Sequence, residues 1–174
     1  MTKRLLLLRH AKALPGERGI RDRDRPLAPR GHRDAELMAP LVAAESPDLI
    51  LCSPARRTRE TLAGLANGDA ATDNTIFVGD LYDATGNYLD IIAAYGGDAA
   101  CVLVIGHNPT IQATALALAA SGERALIGAV TEKYPTAGFA VLELDISSWR
   151  NLASASGRLT AFRTPREMGG GGED

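Results

Sequence analysis

Three short runs of uninterrupted apolar residues constrain this chain more than any other feature: residues 5–8, 49–52 and 101–105. Four or five apolar residues without polar alternation suit a strand buried on both faces. Such a strand needs helices on either side, which implies parallel βαβ units. Each run is followed by polar residues: Arg9-His10 after the first, Ser53-Pro54-Ala55-Arg56-Arg57 after the second, Gly106-His107-Asn108-Pro109 after the third. Ligands of such sheets bind outside the carboxyl ends of the strands. Three polar clusters far apart in sequence are therefore expected to meet on one rim.

The segments between these runs read as helices. Residues 31–44 carry Ala35, Met38, Leu41 and Val42 at spacings of three and four. Pro40 interrupts that pattern and predicts a kink or an early end. Ser53 reads as a helix N-cap with Pro54 at the first helical position, the helix running to about Ala66 and stopping at Asn67-Gly68-Asp69. Asn108 and Pro109 repeat that signal ahead of a helix to about Ala120. A short helix is expected over residues 87–95, closed by Gly96-Gly97, and further strands over 75–78, 137–144 and 158–162. The expected fold is a three-layer α/β/α sandwich with a mostly parallel central sheet. One domain should span residues 1–164, with 165–174, which contain four consecutive glycines, as a flexible tail.

Composition narrows the function. A chain of 174 residues with 45% hydrophobic and 23% charged residues suits one ordinary globular domain. A net charge of −2 supplies no global basic field for nucleic acid. The N-terminal apolar stretch is too short for a signal peptide or a bilayer span, so a cytoplasmic protein with no membrane partner is expected, and a monomer. The two cysteines, Cys52 and Cys101, lie in apolar runs and read as buried free thiols. No Cys/His set at metal spacing is present, so neither a metal nor a cofactor is expected.

The chemistry lies in the Arg and His residues. Arg56, Arg57 and Arg59 crowd a helix N-terminus, where positive charge opposes the helix dipole. A bound anion would resolve that conflict, since free N–H groups and Arg forks both take phosphate. Among the three histidines, His10 and His107 follow strands, whereas His32 reads as an exposed helix residue. A thiol nucleophile would need five residues between Cys and Arg. Cys52 has Arg57 and Arg59 at the wrong distances.

These motifs together resemble the histidine phosphatase superfamily, in particular its phosphohistidine phosphatase (SixA-like) branch. Arg9-His10-Ala11-Lys12 resembles the Arg-His-Gly signature, and Ser53-Pro54-Ala55-Arg56-Arg57 the second motif, whose Arg falls four residues after Ser. Gly106-His107-Asn108-Pro109 resembles the third, Arg25-Pro26-Leu27 a segment with a further phosphate-facing Arg, and Leu81-Tyr82-Asp83 the leucine-tyrosine-acid stretch. The resemblance covers residues 3–164. It implies a metal-independent phosphatase with His10 as nucleophile and Arg9, Arg25, Arg57 and His107 on the phosphate. His107 would donate to the phosphate oxygens. The Arg charges would keep His10 neutral and able to attack.

Asp83 matches the position of the carboxylic acid that protonates ester leaving groups, one methylene shorter than the usual Glu. The short chain lacks insertions that would cap the pocket, which suits a side chain on another protein. Phosphohistidine in a protein is therefore the expected substrate. A small phosphate ester or pyrophosphate, and a phospho-ligand-binding module without turnover, stay open as alternatives.

Overall fold

The computed structural model describes residues 2–66, 74–154 and 156–170. The turn expected at Asn67-Gly68-Asp69 lies outside them. Seven strands form one sheet: β1 (Thr2–Arg9), β2 (Leu49–Cys52), β3 (Thr75–Phe77), β4 (Cys101–Gly106), β5 (Ala119–Gly122), β6 (Phe139–Asp145) and β7 (Gly157–Arg163). Their order is β3-β2-β4-β1-β6-β7-β5. β1 pairs parallel with β4, β4 with β2, β2 with β3 and β5 with β7, while β6 runs antiparallel to both β1 and β7. The sheet is thus mixed and mostly parallel.

Six helices flank it: α1 (Pro29–Ala44), α2 (Arg56–Ala66), α3 (Asp80–Asp83), α4 (Leu89–Tyr95), α5 (Thr110–Leu118) and α6 (Arg124–Glu132). Alternate residues of the apolar strands serve opposite faces. Leu6, Leu8, Ile50, Leu103 and Ile105 pack with Ala35, Met38 and Val42 of α1 and Leu62 and Leu65 of α2. Leu5, Leu7, Leu51, Val102 and Val104 pack with Leu89, Ile92, Ile111, Leu118 and Trp149 on the other face. Three layers result, as expected. Leu5–Leu8 are all completely buried. Burying each such side chain contributes roughly 1.5–3 kcal/mol, which locks β1 at the centre of the sheet.

Several local expectations are corrected. α1 begins at Pro29, at the first helical position after Ala28, and runs through Pro40 to Ala44 without ending there. Pro40 faces solvent, so the loss of one backbone bond, about 3 kcal/mol in a helix interior, is outweighed by Met38, Ala39 and Val42 packed on either side of it. α2 starts at Arg56, after Pro54. α4 begins at Leu89, two residues later than expected. α5 ends at Leu118, and the chain continues directly into the edge strand β5 and then α6, neither of which the sequence pattern predicts. Within the segment expected to be a flexible tail, Pro165–Met168 form a 3₁₀ turn closed by a Thr164–Glu167 capping box, with Pro165 buried.

Candidate active site

The carboxyl ends of β1, β2 and β4 lie side by side, so the residues after them converge. His10 is held by its backbone on both sides: its N–H donates to the Gly106 carbonyl at 3.0 Å, and its carbonyl accepts from the Ala137 N–H at 3.1 Å. The next N–H, of Ala11, donates to the Thr61 hydroxyl of α2 at 3.0 Å. The His10 side chain is only 9% exposed. Its Nδ1 lies 2.7 Å from the Ala11 carbonyl oxygen. A carbonyl only accepts, so Nδ1 carries the proton and the lone pair sits on Nε2.

His107 stands across from it, with ring centroids 5.3 Å apart. Its backbone N–H donates to the Tyr88 hydroxyl at 3.0 Å. That hydroxyl passes so close to Gly106 that a Cβ there would lie 2.7 Å from it, which explains a glycine at the end of an otherwise apolar strand. The His107 Nε2 lies 2.7 Å from Ser53 Oγ, and its Nδ1 lies 3.3 Å from Arg57 Nη2. A guanidinium only donates, so Nδ1 accepts and Nε2–H donates to Ser53. Ser53 therefore orients His107 instead of capping α2. The donor role expected of His107 toward phosphate is not the one its Nδ1 plays in the structure.

Arg57 is buried at 6% exposure. Its Nη1 donates to the Asp22 carbonyl at 2.8 Å and its Nη2 to Asp22 Oδ2 at 3.1 Å. Its Nε is buried and has no hydrogen-bond partner among the described residues. Arg56, one residue earlier, is exposed and donates through Nε to Glu60 at 2.7 Å. The two arginines thus point to different environments. Arg59 is exposed and lies over the Phe77 ring. His32 is also exposed. Arg9, at the end of β1 beside His10, donates to the Tyr134 carbonyl at 2.8 Å.

The loop after β1 brings a further pair to the site. An antiparallel bridge between Ala13 and Leu27 returns the chain on itself, and a 3₁₀ turn at Asp22–Asp24 lies over the rim. Arg25 donates through Nε to Asp22 Oδ1 at 2.9 Å and through Nη1 to the Leu14 carbonyl at 2.8 Å. Tyr82, on α3, donates to Asp22 Oδ2 at 2.9 Å and sets its ring edge-on to His107 at 5.5 Å. Asp83, the next residue, is exposed and makes no hydrogen bond or ion pair among the described residues. The carboxylate that touches Arg57 is Asp22, which no sequence motif singles out.

The electrostatics follow from this packing. Burial lowers His10 to about 3, helped by the charges of His107, Arg57 and Arg9. Burial likewise lowers His107 to about 4, with Arg57 adding to the effect. Burial pushes Asp22 upward, but the Tyr82 hydrogen bond and the Arg57 and Arg25 charges outweigh it and hold the carboxyl at about 2. Both imidazoles are therefore neutral at pH 7, and His10 keeps a lone pair on Nε2, the form a nucleophilic histidine needs. Cys52 is fully buried and its thiol is pushed up to about 12 by that burial, so it is no thiolate nucleophile. Among the described residues no group of His, Cys, Asp and Glu could hold a metal ion, and no helix is long and apolar enough to cross a membrane.

The family model of the histidine phosphatase superfamily (branch 1) matches residues 5–75. A solved structure from Agrobacterium tumefaciens, provisionally described as the phosphohistidine phosphatase SixA, is 36% identical over 94% of this chain and 97% of its own, with a TM-score of 0.77. The chain belongs to the histidine phosphatase superfamily. A second structure under the same provisional description, from Nakamurella multipartitia, is 32% identical over 95% of this chain and 97% of its own, also at a TM-score of 0.77. An uncharacterised protein of Mycobacterium tuberculosis is 38% identical over 164 residues, 91% of this chain and 100% of the relative. The matched range contains the rim residues Arg9-His10 after β1 and Ser53 and Arg57 after β2.

Proposed function

We propose that the chain is a metal-independent phosphatase that transfers a phosphoryl group to His10 and then to water, and that its substrate is phosphohistidine in a protein. The observation that carries this reading is the His10 tautomer: with Nδ1–H committed to Ala11, the lone pair lies on Nε2 of a ring 5.3 Å from that of His107, which Arg57 in turn contacts. Phosphoryl transfer needs little beyond positioning and neutralisation of the equatorial oxygens. Arg57, with its unpartnered buried Nε, is the central donor, and Arg9 and Arg25 add charge on either side. As phosphate oxygens draw the Arg57 guanidinium away, His107 Nδ1 is released. The incoming negative charge raises its affinity for a proton, and it becomes the donor across the phosphate.

Two features support a protein substrate. The rim is open at Asp22, whose side chain is 55% exposed, so a side chain on a second macromolecule can enter. Two structures above 30% identity also bear the phosphohistidine phosphatase description. The deciding experiment compares rates for a phosphohistidine protein with those for a panel of alkyl phosphates, aryl phosphates and pyrophosphate. A strong preference for a small alkyl phosphate would move the substrate to that class, and phosphate binding without turnover of any of them would make the chain a binding module.

A further inference from the structure

We infer that the loop after β1, residues 14–25, is a docking surface for an acidic protein, so that the phosphohistidine brought to His10 is presented on a chain rich in Asp and Glu. The inference rests on the phosphatase reading above and names the kind of partner that carries its substrate.

Charge is distributed unevenly along this chain. Its net charge is −2, yet residues 9–33 carry eight Lys and Arg against three Asp and Glu. On the loop both aspartates are already committed, Asp22 to Arg25 and Arg57 and Asp24 to Arg21. Arg18 and Arg23 are exposed and pair with no carboxylate among the described residues. Arg23 lies over the Tyr82 ring, 5.8 Å from its centroid. Two uncompensated guanidinium groups thus stand in water on the loop that carries Asp22 to Arg57. The field of such a cluster attracts negative charge and raises the rate of encounter with an acidic partner.

The loop also exposes apolar surface: Leu14 is 37% exposed and Ile20 43%. Arginine beside exposed aliphatic side chains suits a protein interface, in which apolar contacts are buried and charge sets approach and register. The loop backbone is held in place. Leu14 N–H donates to the Pro26 carbonyl at 2.9 Å, the Leu14 carbonyl accepts from Arg25 Nη1 at 2.8 Å, and Ile20 N–H donates to the Glu17 carbonyl at 3.1 Å. Asp22 Oδ2 ties the same loop to Arg57 Nη2 at 3.1 Å. A partner seated on Leu14, Arg18 and Ile20 therefore rests on the segment that borders the site. Nucleic acid suits this surface less. Residues 14–25 contain no aromatic ring for a base to stack on, and Glu17, Asp22 and Asp24 alternate with the arginines and would repel a phosphate backbone.

The test uses two synthetic peptides, each with a single chemically phosphorylated histidine, one flanked by Glu and Leu and the other by Lys and Leu. p-Nitrophenyl phosphate serves as a substrate with no flanking chain. In the wild type at low salt, kcat/KM for the Glu peptide should exceed that for the Lys peptide by roughly 10-fold or more. That ratio should shrink in about 0.5 M NaCl, where exposed charges are screened. Arg18→Glu/Ile20→Ser should erase the ratio and keep the p-nitrophenyl phosphate rate. Arg124→Glu makes the same change of charge as Arg18→Glu on exposed α6, after the edge strand β5, and should keep both. A wild type that treats the two peptides alike, a ratio that survives in Arg18→Glu/Ile20→Ser, or one that falls equally in Arg124→Glu would overturn the inference. A surviving ratio together with loss of duplex DNA binding in the loop variant would assign the loop to nucleic acid instead. A wild type inert toward all three substrates would remove the phosphatase reading. Fluorescence anisotropy of the same peptides, labelled and unphosphorylated, then reads the surface by itself: tighter binding of the Glu peptide, lost in the loop variant, upholds the docking surface, and equal binding overturns it.

Discussion

Arg57 Nη2 and His107 Nδ1 lie 3.3 Å apart, and this one contact fixes a proton, because the guanidinium can only donate. Burial, with the Arg57 charge adding to it, holds His107 neutral, and burial does the same for His10. Both groups have folded values, about 4 and about 3, below the ordinary 6.5. Between those values and 6.5 the unfolded chain binds more protons than the folded one, so stability rises with pH across that window. Lowering the pH from 7 to 5 should therefore destabilise the fold by on the order of 1–2 kcal/mol per histidine. Urea unfolding at the two pH values checks this, and His10→Asn should remove its share of the difference. Stability independent of pH in both proteins would show that the imidazoles are not held neutral by the fold.

The nucleophile can be trapped. His10→Asn, a substitution of similar size, should abolish turnover and leave the core strands untouched. Wild-type protein quenched after brief reaction with labelled phosphate donor should carry acid-labile, base-stable label on His10. Label on Ser53 or on a cysteine would replace this assignment.

Arg56 and Arg57 differ by one residue and by their whole environment. Arg57 is buried against Asp22 and His107, whereas Arg56 is solvent-exposed on Glu60. Arg57→Ala should reduce kcat/KM by the scale of a lost oxyanion donor, about 2.7–4 kcal/mol of transition-state stabilisation. Arg56→Ala loses an exposed i,i+4 pair, about 0.3–0.5 kcal/mol of stability, with little change in kcat/KM. Steady-state kinetics on one substrate decide it, and equal losses would contradict the geometry.

The rim was legible in the sequence because its backbone determinants are local. Leu5–Leu8 and Cys101–Ile105 suit strands buried on both faces, and the residues after such strands lie at the carboxyl edge. The roles of Asp22, Ser53 and Tyr82 were not legible. Asp22 belongs to the alternating run Arg21-Asp22-Arg23-Asp24-Arg25, and only the 3₁₀ turn sends Asp22 toward Arg57 and Asp24 toward Arg21. Ser53 followed by proline reads as a cap, but its partner is His107, fifty-four residues away. In the single turn of α3 one residue changes direction by about 100°, which places Tyr82 and not Asp83 on the site. β5 escaped notice because Ala119-Ala120-Ser121-Gly122 has no strand-forming composition; pairing with β7 imposes its conformation.

In the proposed transfer Arg9, Arg25 and Arg57 would neutralise the phosphate without a divalent ion. Activity should survive prolonged EDTA treatment and gain nothing from added magnesium. A loss restored by a metal would mean that phosphate is neutralised in another way.

Two glycines give opposite expectations for the same substitution. A Cβ on Gly31, near the start of α1, would lie 2.1 Å from the Lys12 carbonyl oxygen and 3.0 Å from the Lys12 N and C. All three are backbone atoms, and that carbonyl already accepts from Ala28 N–H at 2.8 Å. Neither α1 nor the strand exit can yield without moving the segment that begins at His10. Gly31→Ala should cost about 1–3 kcal/mol, the range for overpacking, and should lower kcat as well, because Lys12 lies two residues from the nucleophile. At Gly128, in the exposed interior of α6, a Cβ would meet nothing within 4 Å. Gly128→Ala should stabilise by about 0.5–1 kcal/mol through reduced backbone entropy of the unfolded chain and leave kcat unchanged. Thermal unfolding of the two variants beside the wild type measures both signs. A neutral Gly31→Ala would mean that the His10 loop is free to shift, and the fixed position argued for the nucleophile would fail with it.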